Sequence, residues 1–196
     1  YMYVPAAAIN GLTSGSSGDY TIECWVYLTV APTGNGYNNG GKTLITTTNG
    51  VNTNYQTYII GSTGYTFNRR DAASYVTLYG TTPTANTWNH IAFVNVGDTM
   101  NVYLNGTSVA TGSLSGSWNT GGSNAYIAYS GLSGYAYYLT GYISNLRLVA
   151  GTAVYTSNFT PSTTPLQAIA GTTLLTCQSP RFVDNSANNY TVTTGG

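Results

Sequence analysis

The chain has 196 residues, only 5% of them charged, and its five basic residues balance five acidic ones. Average globular proteins carry roughly 25% charged residues. So sparse and neutral a set argues against nucleic acid, whose phosphates need clustered Lys and Arg, and against docking on an anionic membrane. No apolar run approaches the ~18 residues of a membrane-spanning helix, so no membrane insertion is expected, and the length suits one domain over 1–196.

Thr, Ser, Asn, Gly and 19 Tyr dominate the rest. Thr and Tyr fit pleated, half-buried strands, whereas Gly and Asn fit turns. The chain opens "YMYVPAAAIN", with no initiator Met or basic leader, and closes "TVTTGG", which reads as a linker; both ends suggest a piece of a longer polypeptide. After the turn-like "TSGSSGD", the stretch "YTIECWVYL" (20–28) alternates, with Ile22, Cys24, Val26 and Leu28 on one face and Tyr20, Trp25 and Tyr27 opposite. Apolarity on both faces predicts a central strand. "APTGNGYNNGG" (31–41) is a long Gly/Asn loop of the kind that often carries function. "KTLITTT", "YQTYIIG", "GYTFNRR" and "SYVTLYG" read as further strands.

"TTPTANT" then turns the chain into "WNHIAFVNV" (88–96), which pairs through "GDT" with "MNVYLNG". Met100, Val102 and Leu104 share one face there, with Asn101 and Tyr103 on the other. Asn105-Gly106 is a strong hairpin signal, because both residues tolerate the positive φ of a type I′ turn. "TSVATGSL" completes a three-stranded meander. "AYIAYSG", the Tyr-rich loop "LSGYAYY" and "LTGYISNLRLVAG" follow. "TAVYTSNFTPSTTPLQAI" contains Pro161 and Pro165 and is expected to be irregular, with at most a helical turn. "TTLLTCQ" and "NNYTVTT" supply the last strands. With no convincing 3.6-residue apolar period and no tandem repeat, the class is all-β, a sandwich or barrel.

Cys24 and Cys177 lie in apolar strand-like runs near opposite ends of the chain, and no CxxC pair exists for a zinc site. They read either as two buried small hydrophobes or as a disulfide joining terminal strands. His90 is the chain's single histidine. A Ser-His-Asp hydrolase is not supported: Asp98 lies about 25 Å along the chain at ~3.3 Å per residue, and no GxSxG elbow occurs. The expectation is a partly buried His bonding a backbone group. Glycosidases need two carboxyls about 5–9.5 Å apart. Glu23 is the lone Glu, and Asp19, four residues earlier, is expected to bond its own turn. No enzyme is expected. Calcium needs about six to eight oxygens, to which Asp19, Asp71 and Asp184 are the candidate contributors; no other cofactor is indicated. Three N-x-[ST] sequons, at Asn105, Asn158 and Asn189, fall within what chance gives in so Asn- and Thr-rich a chain.

Four stretches in order, "GDYTIECWVYL", "WNHIAFVNVGDTMNVYLNGTSVATG", "GYISNLRLVAGTAVYTSNFTPSTTPL" and "TTLLTCQSPRFVDNSANNYTV", resemble the laminin-G-like, concanavalin A-like jelly rolls. Within that superfamily the chain looks most like domains in structural proteins of tailed bacteriophages, notably those of marine cyanobacteria. The resemblance implies an antiparallel two-sheet β-sandwich with six or seven strands per sheet, and rim loops that hold Ca²⁺ in some members. Relatives usually have one more N-terminal strand, so "YMYVPAAA" looks like the end of an opening strand incomplete at residue 1. The resemblance also agrees that His90 belongs to a strand framework.

Relatives are commonly glycan- or protein-binding modules. Aromatic faces match the C–H surfaces of sugars, and Asn and Arg match their hydroxyls. Tyr37 and Asn38 in the long loop, Arg69 and Arg70, Trp118 in "SGSWNTGGSN", and Tyr135 and Tyr137 in "SGYAYY" are the ligand-binding candidates; Tyr and Arg also favour protein interfaces. The leading reading is a non-enzymatic module on a virion surface, in a phage fibre, tail or capsid-surface domain. The others are an extracellular bacterial adhesin-like lectin and a self-assembling structural subunit without a ligand. Partners are then glycans or other virion or surface proteins, and repetition of subunits (a homo-oligomer) is expected because weak lectin sites gain from multivalency.

Overall fold

A computed structural model describes residues 1–9, 12, 18–36, 39–48, 55–69, 74–114, 124–131 and 137–195. Among them the strands are β1 (Met2–Pro5), β2 (Tyr20–Leu28), β3 (Lys42–Thr48), β4 (Tyr55–Ile60), β5 (Gly64–Arg69), β6 (Ser74–Tyr79), β7 (Trp88–Val96), β8 (Thr99–Leu104), β9 (Thr107–Ser113), β10 (Asn124–Ile127), β11 (Gly141–Ala150), β12 (Thr172–Thr176) and β13 (Thr193–Thr194). A 3-10 turn at Ala6–Ile9 is the one helical element of this set. The strands form a seven-stranded sheet, in order β13-β1-β10-β3-β4-β5-β6, and a six-stranded sheet, in order β12-β11-β2-β7-β8-β9. All pairings are antiparallel. The expected all-β two-sheet sandwich is what forms.

The core lies between the sheets and follows the alternation of the strands. Ile22, Cys24, Val26 and Leu28 of β2 point into it, as do Met100, Val102 and Leu104 of β8. Tyr20 corrects the expected face: it has the parity of Ile22, is fully buried with the core, and accepts a hydrogen bond from Tyr58 at 2.9 Å. That partner makes burial of its hydroxyl tolerable. Phe93 of β7 locks the two sheets together through rings of β4 and β5, with centroids 5.5 Å from Tyr58, 5.8 Å from Tyr65 and 5.5 Å from Phe67. The Asn105-Gly106 turn has φ 51° and 80°, as the type I′ reading requires. Gly106 is needed twice over, because a Cβ there would also collide with the Phe159 carbonyl.

One irregularity in β11 sets the chemistry of the six-stranded sheet. Tyr142 and Ser144 pair with Tyr27 and Trp25, but the next partner of β2, Glu23, faces Arg147. The extra residue is a bulge at Asn145 (φ 53°), whose side-chain oxygen accepts from the backbone of Leu166 at 3.0 Å. A bulge shifts parity by one residue. Leu146 and Leu148 therefore enter the core, and Arg147 turns outward.

Cys24 and Cys177 are buried free thiols, so the disulfide alternative falls. β12 and β2 flank β11, which puts the two residues about two strand spacings, ~10 Å, apart. A disulfide needs Cα atoms within about 7 Å. Burial pushes the Cys177 thiol up to about 11 and the Cys24 thiol higher still. Since the thiolate is the nucleophile, both thiols are expected to ignore Ellman's reagent in the native domain at pH 8 and to react at once in denaturant. Rapid labelling of Cys24 under native conditions would contradict the packing.

Candidate functional site

At one end of the sandwich the termini and β11 enclose a groove of about 310 Å³. Four rings wall it: Tyr1, Tyr138, Tyr142 and Phe182, which are 37–64% exposed. Met2, Leu139 and Cys177 form its buried side, and Ser179 contributes a hydroxyl. Pairing of β1 with β10 places Tyr3 opposite Tyr126, and the bridge Tyr129–Tyr138 folds the following loop back. The rings then support one another. Tyr138 stacks on Tyr129 at 4.8 Å and 16°, and Tyr129 lies 4.4 Å from Tyr1 and 5.7 Å from Tyr126. Gly131 (φ +62°) makes this possible, because a Cβ there would run into the Tyr126 ring. Burial and the surrounding phenols push the Tyr129 hydroxyl above its ordinary value. Its proton therefore stays on at neutral pH, and among the described residues no Asp, Glu, Lys, Arg or His lines the groove.

The buried polar cluster of the fold lies elsewhere, on the outer face of the six-stranded sheet. Glu23, 1% exposed, receives Arg147 through Nε at 2.9 Å and through Nη2, Tyr155 through its hydroxyl at 2.8 Å, and His90 Nε2 at 3.2 Å. Arg147 also donates to the Gln167 carbonyl at 2.8 Å. Burial alone would raise the Glu23 carboxyl, but His90, Arg147 and Tyr155 together hold it below its ordinary value. It is a carboxylate, every approach to which is taken by a donor. A carboxylate only accepts, so His90 Nε2 carries the proton of that bond. His90 is thus fully buried and bonded to Glu23, which corrects the expected backbone partner. It sits between the rings of Trp25 and Phe159, at 5.4 and 5.7 Å. Above the network the segment 151–170 runs as a strap, with Tyr155 stacked on Phe159 and both packed over Ala92, Val94 and Tyr103.

Of the calcium contributors, Asp19 and Asp184 are placed apart, each bonded to its own surroundings. Asp184 spends both oxygens on Leu175 N, Ser186 N, Ser186 Oγ and Tyr190 N, at 2.8–3.0 Å, and so pins the C-terminal loop to β12. Asp19 accepts from Gly97 N at 3.0 Å, bracing the β7–β8 turn; residues 13–17 of its own turn lie outside the described residues. Asp71 lies outside the described residues. Among those described, no three His, Cys, Asp or Glu side chains come together.

Of the ligand-binding candidates, Tyr37, Asn38, Arg70, Trp118 and Tyr135 lie outside the described residues. Arg69 ends β5, its backbone paired with Gln56, and its side chain is likewise outside them. Tyr137 is placed: its carbonyl accepts from Ser130 N at 2.9 Å, and the groove takes its neighbour Tyr138. Tyr1, Tyr142, Phe182 and Ser179 were not foreseen. Tyr142 had a usable signal, a large ring at an outward position of a strand whose inner face is Ile143.

The sequence profile of a laminin-G family, described as the concanavalin A-like lectin/glucanases superfamily, matches residues 2–160. The chain belongs to that superfamily. Comparison with curated proteins gave no match. Among solved structures, this concanavalin A-like domain is similar to a candidate carbohydrate-binding protein from Bacteroides ovatus, with TM-score 0.66 and 14% identity. That match covers 100% of this chain but only 56% of the Bacteroides protein, so the chain spans little more than half of it. It is also similar to the CBM40 of the Ruminococcus gnavus IT-sialidase bound to α2,3-sialyllactose, with TM-score 0.55, 14% identity, and coverage of 71% and 78%. A third is domain 4 of an extracellular GH43 arabinanase from Geobacillus stearothermophilus in complex with arabinotriose, with TM-score 0.52, 18% identity, and coverage of 74% and 65%. At these identities the likeness establishes the concanavalin A-like fold.

Proposed function

We propose that this domain is a non-enzymatic glycan-binding module, carried on the surface of a virion as part of a phage structural or attachment protein. The observation that carries the glycan reading is the groove walled by Tyr1, Tyr138, Tyr142 and Phe182. Partly exposed rings around an apolar recess with a hydroxyl at its rim suit the C–H faces and hydroxyls of a sugar. The sialyllactose and arabinotriose complexes are uses of the same fold by other proteins to hold sugars. A binding role without catalysis is supported by the acids. Glu23 and Asp184 are buried and fully bonded, and no described Asp or Glu lines the groove. The virion setting rests on the motif resemblance to phage structural domains and on the uncharged, Tyr-, Asn- and Thr-rich composition.

A glycan array with the purified domain, multimerised to raise avidity, is expected to give a defined set of bound sugars without release of reducing ends. Tyr138→Ala and Tyr142→Ala are each expected to weaken binding about tenfold while leaving the melting temperature nearly unchanged, since both rings are half-exposed or more. An array silent for every glycan overturns the reading and favours a purely structural subunit. For the setting, antibodies against the domain are expected to label intact phage particles. Labelling confined to bacterial surfaces would favour the adhesin instead.

A further inference from the structure

The second depression of the domain lies on the outer face of the six-stranded sheet. It has a volume of about 280 Å³ and is lined by Trp25, Trp88, Ser144, Asn145 and Thr163. The ladder explains how it connects to the groove. Tyr142 of β11 pairs with Tyr27 of β2, and Tyr27 pairs with Trp88 of β7, so three aromatic residues stand side by side across three strands. Their centroids are 5.9 and 5.7 Å apart, edge to face. Tyr142 is also a wall of the first groove, and Trp88 a wall of the second. Tyr142, Tyr27 and Trp88 therefore form one line of rings that runs from a wall of the first groove, which Tyr138 also lines, to a wall of the second.

The strap leaves this line open. It crosses β2 by bonding Thr21, whose hydroxyl donates to the Thr152 carbonyl at 3.0 Å, then Glu23 through Tyr155, then Trp25, whose indole donates to the Ser162 carbonyl at 3.1 Å. At the next outward position, Tyr27, the neighbours are Trp88 and Tyr142. Trp88 stays 44% and Tyr142 64% exposed. Rings that size are normally buried in a core or an interface.

We infer that the two depressions form one extended site for an uncharged oligosaccharide, which runs from the Tyr138 groove over Tyr142 and Tyr27 to Trp88. This inference rests on the glycan-binding reading. The class of ligand follows from the lining. Successive ring centroids repeat at 5.9 and 5.7 Å, close to the length of one pyranose with its glycosidic oxygen. The two linings add the hydroxyl-bearing residues Ser144, Thr163 and Ser179, which are neutral donors and acceptors. Among the described residues neither lining holds an Asp, Glu, Lys, Arg or His, so the carboxylate of an acidic sugar would lose water without meeting a cation there. Glu23 and Arg147 are spent on each other beneath the strap. Arg181, exposed between Ser179 and Phe182 in sequence, is the nearest cation along the chain and lies outside the lining.

Calorimetric titration of the intact domain with cello-, malto-, xylo- and arabino-oligosaccharides, from disaccharide to hexasaccharide, tests the inference, with 3′-sialyllactose and oligogalacturonates as the acidic set. Affinity is expected to rise with chain length in one neutral series. Trp88→Ala is expected to weaken the longest member about tenfold and to leave the disaccharide unchanged, whereas Tyr138→Ala weakens both. Thermal melts of both variants serve as the folding control. Length-independent binding, untouched by Trp88→Ala but lost in Tyr138→Ala, overturns the extended site and leaves the groove as the binding site. Tighter binding of the acidic set, abolished by Arg181→Ala, overturns the uncharged class. Silence toward every sugar overturns the glycan-binding reading itself.

Discussion

Arg147→Ala is expected to destabilise the domain by about 3–5 kcal/mol, the range for removing one partner of a buried ion pair. The substitution leaves the Glu23 carboxylate in place, 1% exposed and held only by His90 and Tyr155. It also removes the bond from Nη1 that ties the strap to the sheet at Gln167. Guanidinium unfolding at pH 7 measures the loss, and a cost under about 1 kcal/mol would mean that the network is not a tether.

The same residues set an acid dependence. The folded Glu23 carboxyl is held below its ordinary value near 4.5, so its stabilisation is fully present above that value and is lost as pH falls through the lowered one. Stability of the native sequence should therefore hold from neutral pH down to about 4.5 and decline below it. In Arg147→Ala, burial is less opposed and the carboxyl rises, so less stability remains to be lost on acidification and the decline below about pH 4.5 should shrink. Unfolding midpoints between pH 3 and 7 distinguish the two curves. Identical curves would show that Arg147 does not set the charge of Glu23.

Phe93→Ala is the second large loss expected, about 3–5 kcal/mol for a fully buried Phe in a close-packed core. For a domain of this size that corresponds to a fall in Tm of roughly 10 °C. The reason is its position: it is the ring of the six-stranded sheet that touches Tyr58, Tyr65 and Phe67 of the other. Truncation opens a cavity between the sheets, and the facing rings are held by their own bonds, Tyr58 to Tyr20 and Tyr65 to the Thr81 carbonyl. They cannot collapse into it without breaking those bonds. Phe93→Leu should recover most of the loss, because it restores apolar volume without the ring contacts. Equal costs for Ala and Leu would indicate that the inter-sheet rings matter more than the volume.

Much of this architecture was legible from residue order. The alternation in 20–28 and 99–104 gave the core faces of β2 and β8, and Asn105-Gly106 gave the turn between β8 and β9, because these depend on local geometry alone. Tyr20 was misassigned for a chemical reason. A phenol looks suited to the outer face until a second phenol, Tyr58, is found across the core to satisfy it. Asp19 and His90 were given local partners, a turn backbone and a strand backbone. Sequence order did not show the long-range partners that the structure adds, Gly97 for Asp19 and Glu23 for His90, 78 and 67 residues away in the chain.

The sequence by itself determined the fold class, most strand positions and the absence of clustered charge, since strand period and turn chemistry act over a few residues. Only the tertiary structure decided which side chains meet. The bulge at Asn145 flips the parity of β11 and delivers Arg147 to Glu23, an event that the strand's own alternation does not announce. The groove collects Tyr1, Tyr138, Tyr142 and Phe182 from both ends of the chain, because sheet order places β1, β10 and β11 at one end of the sandwich. Local periodicity carries no information about contacts at such separations. They are set by which strands become neighbours, and that is where the aromatic groove is made.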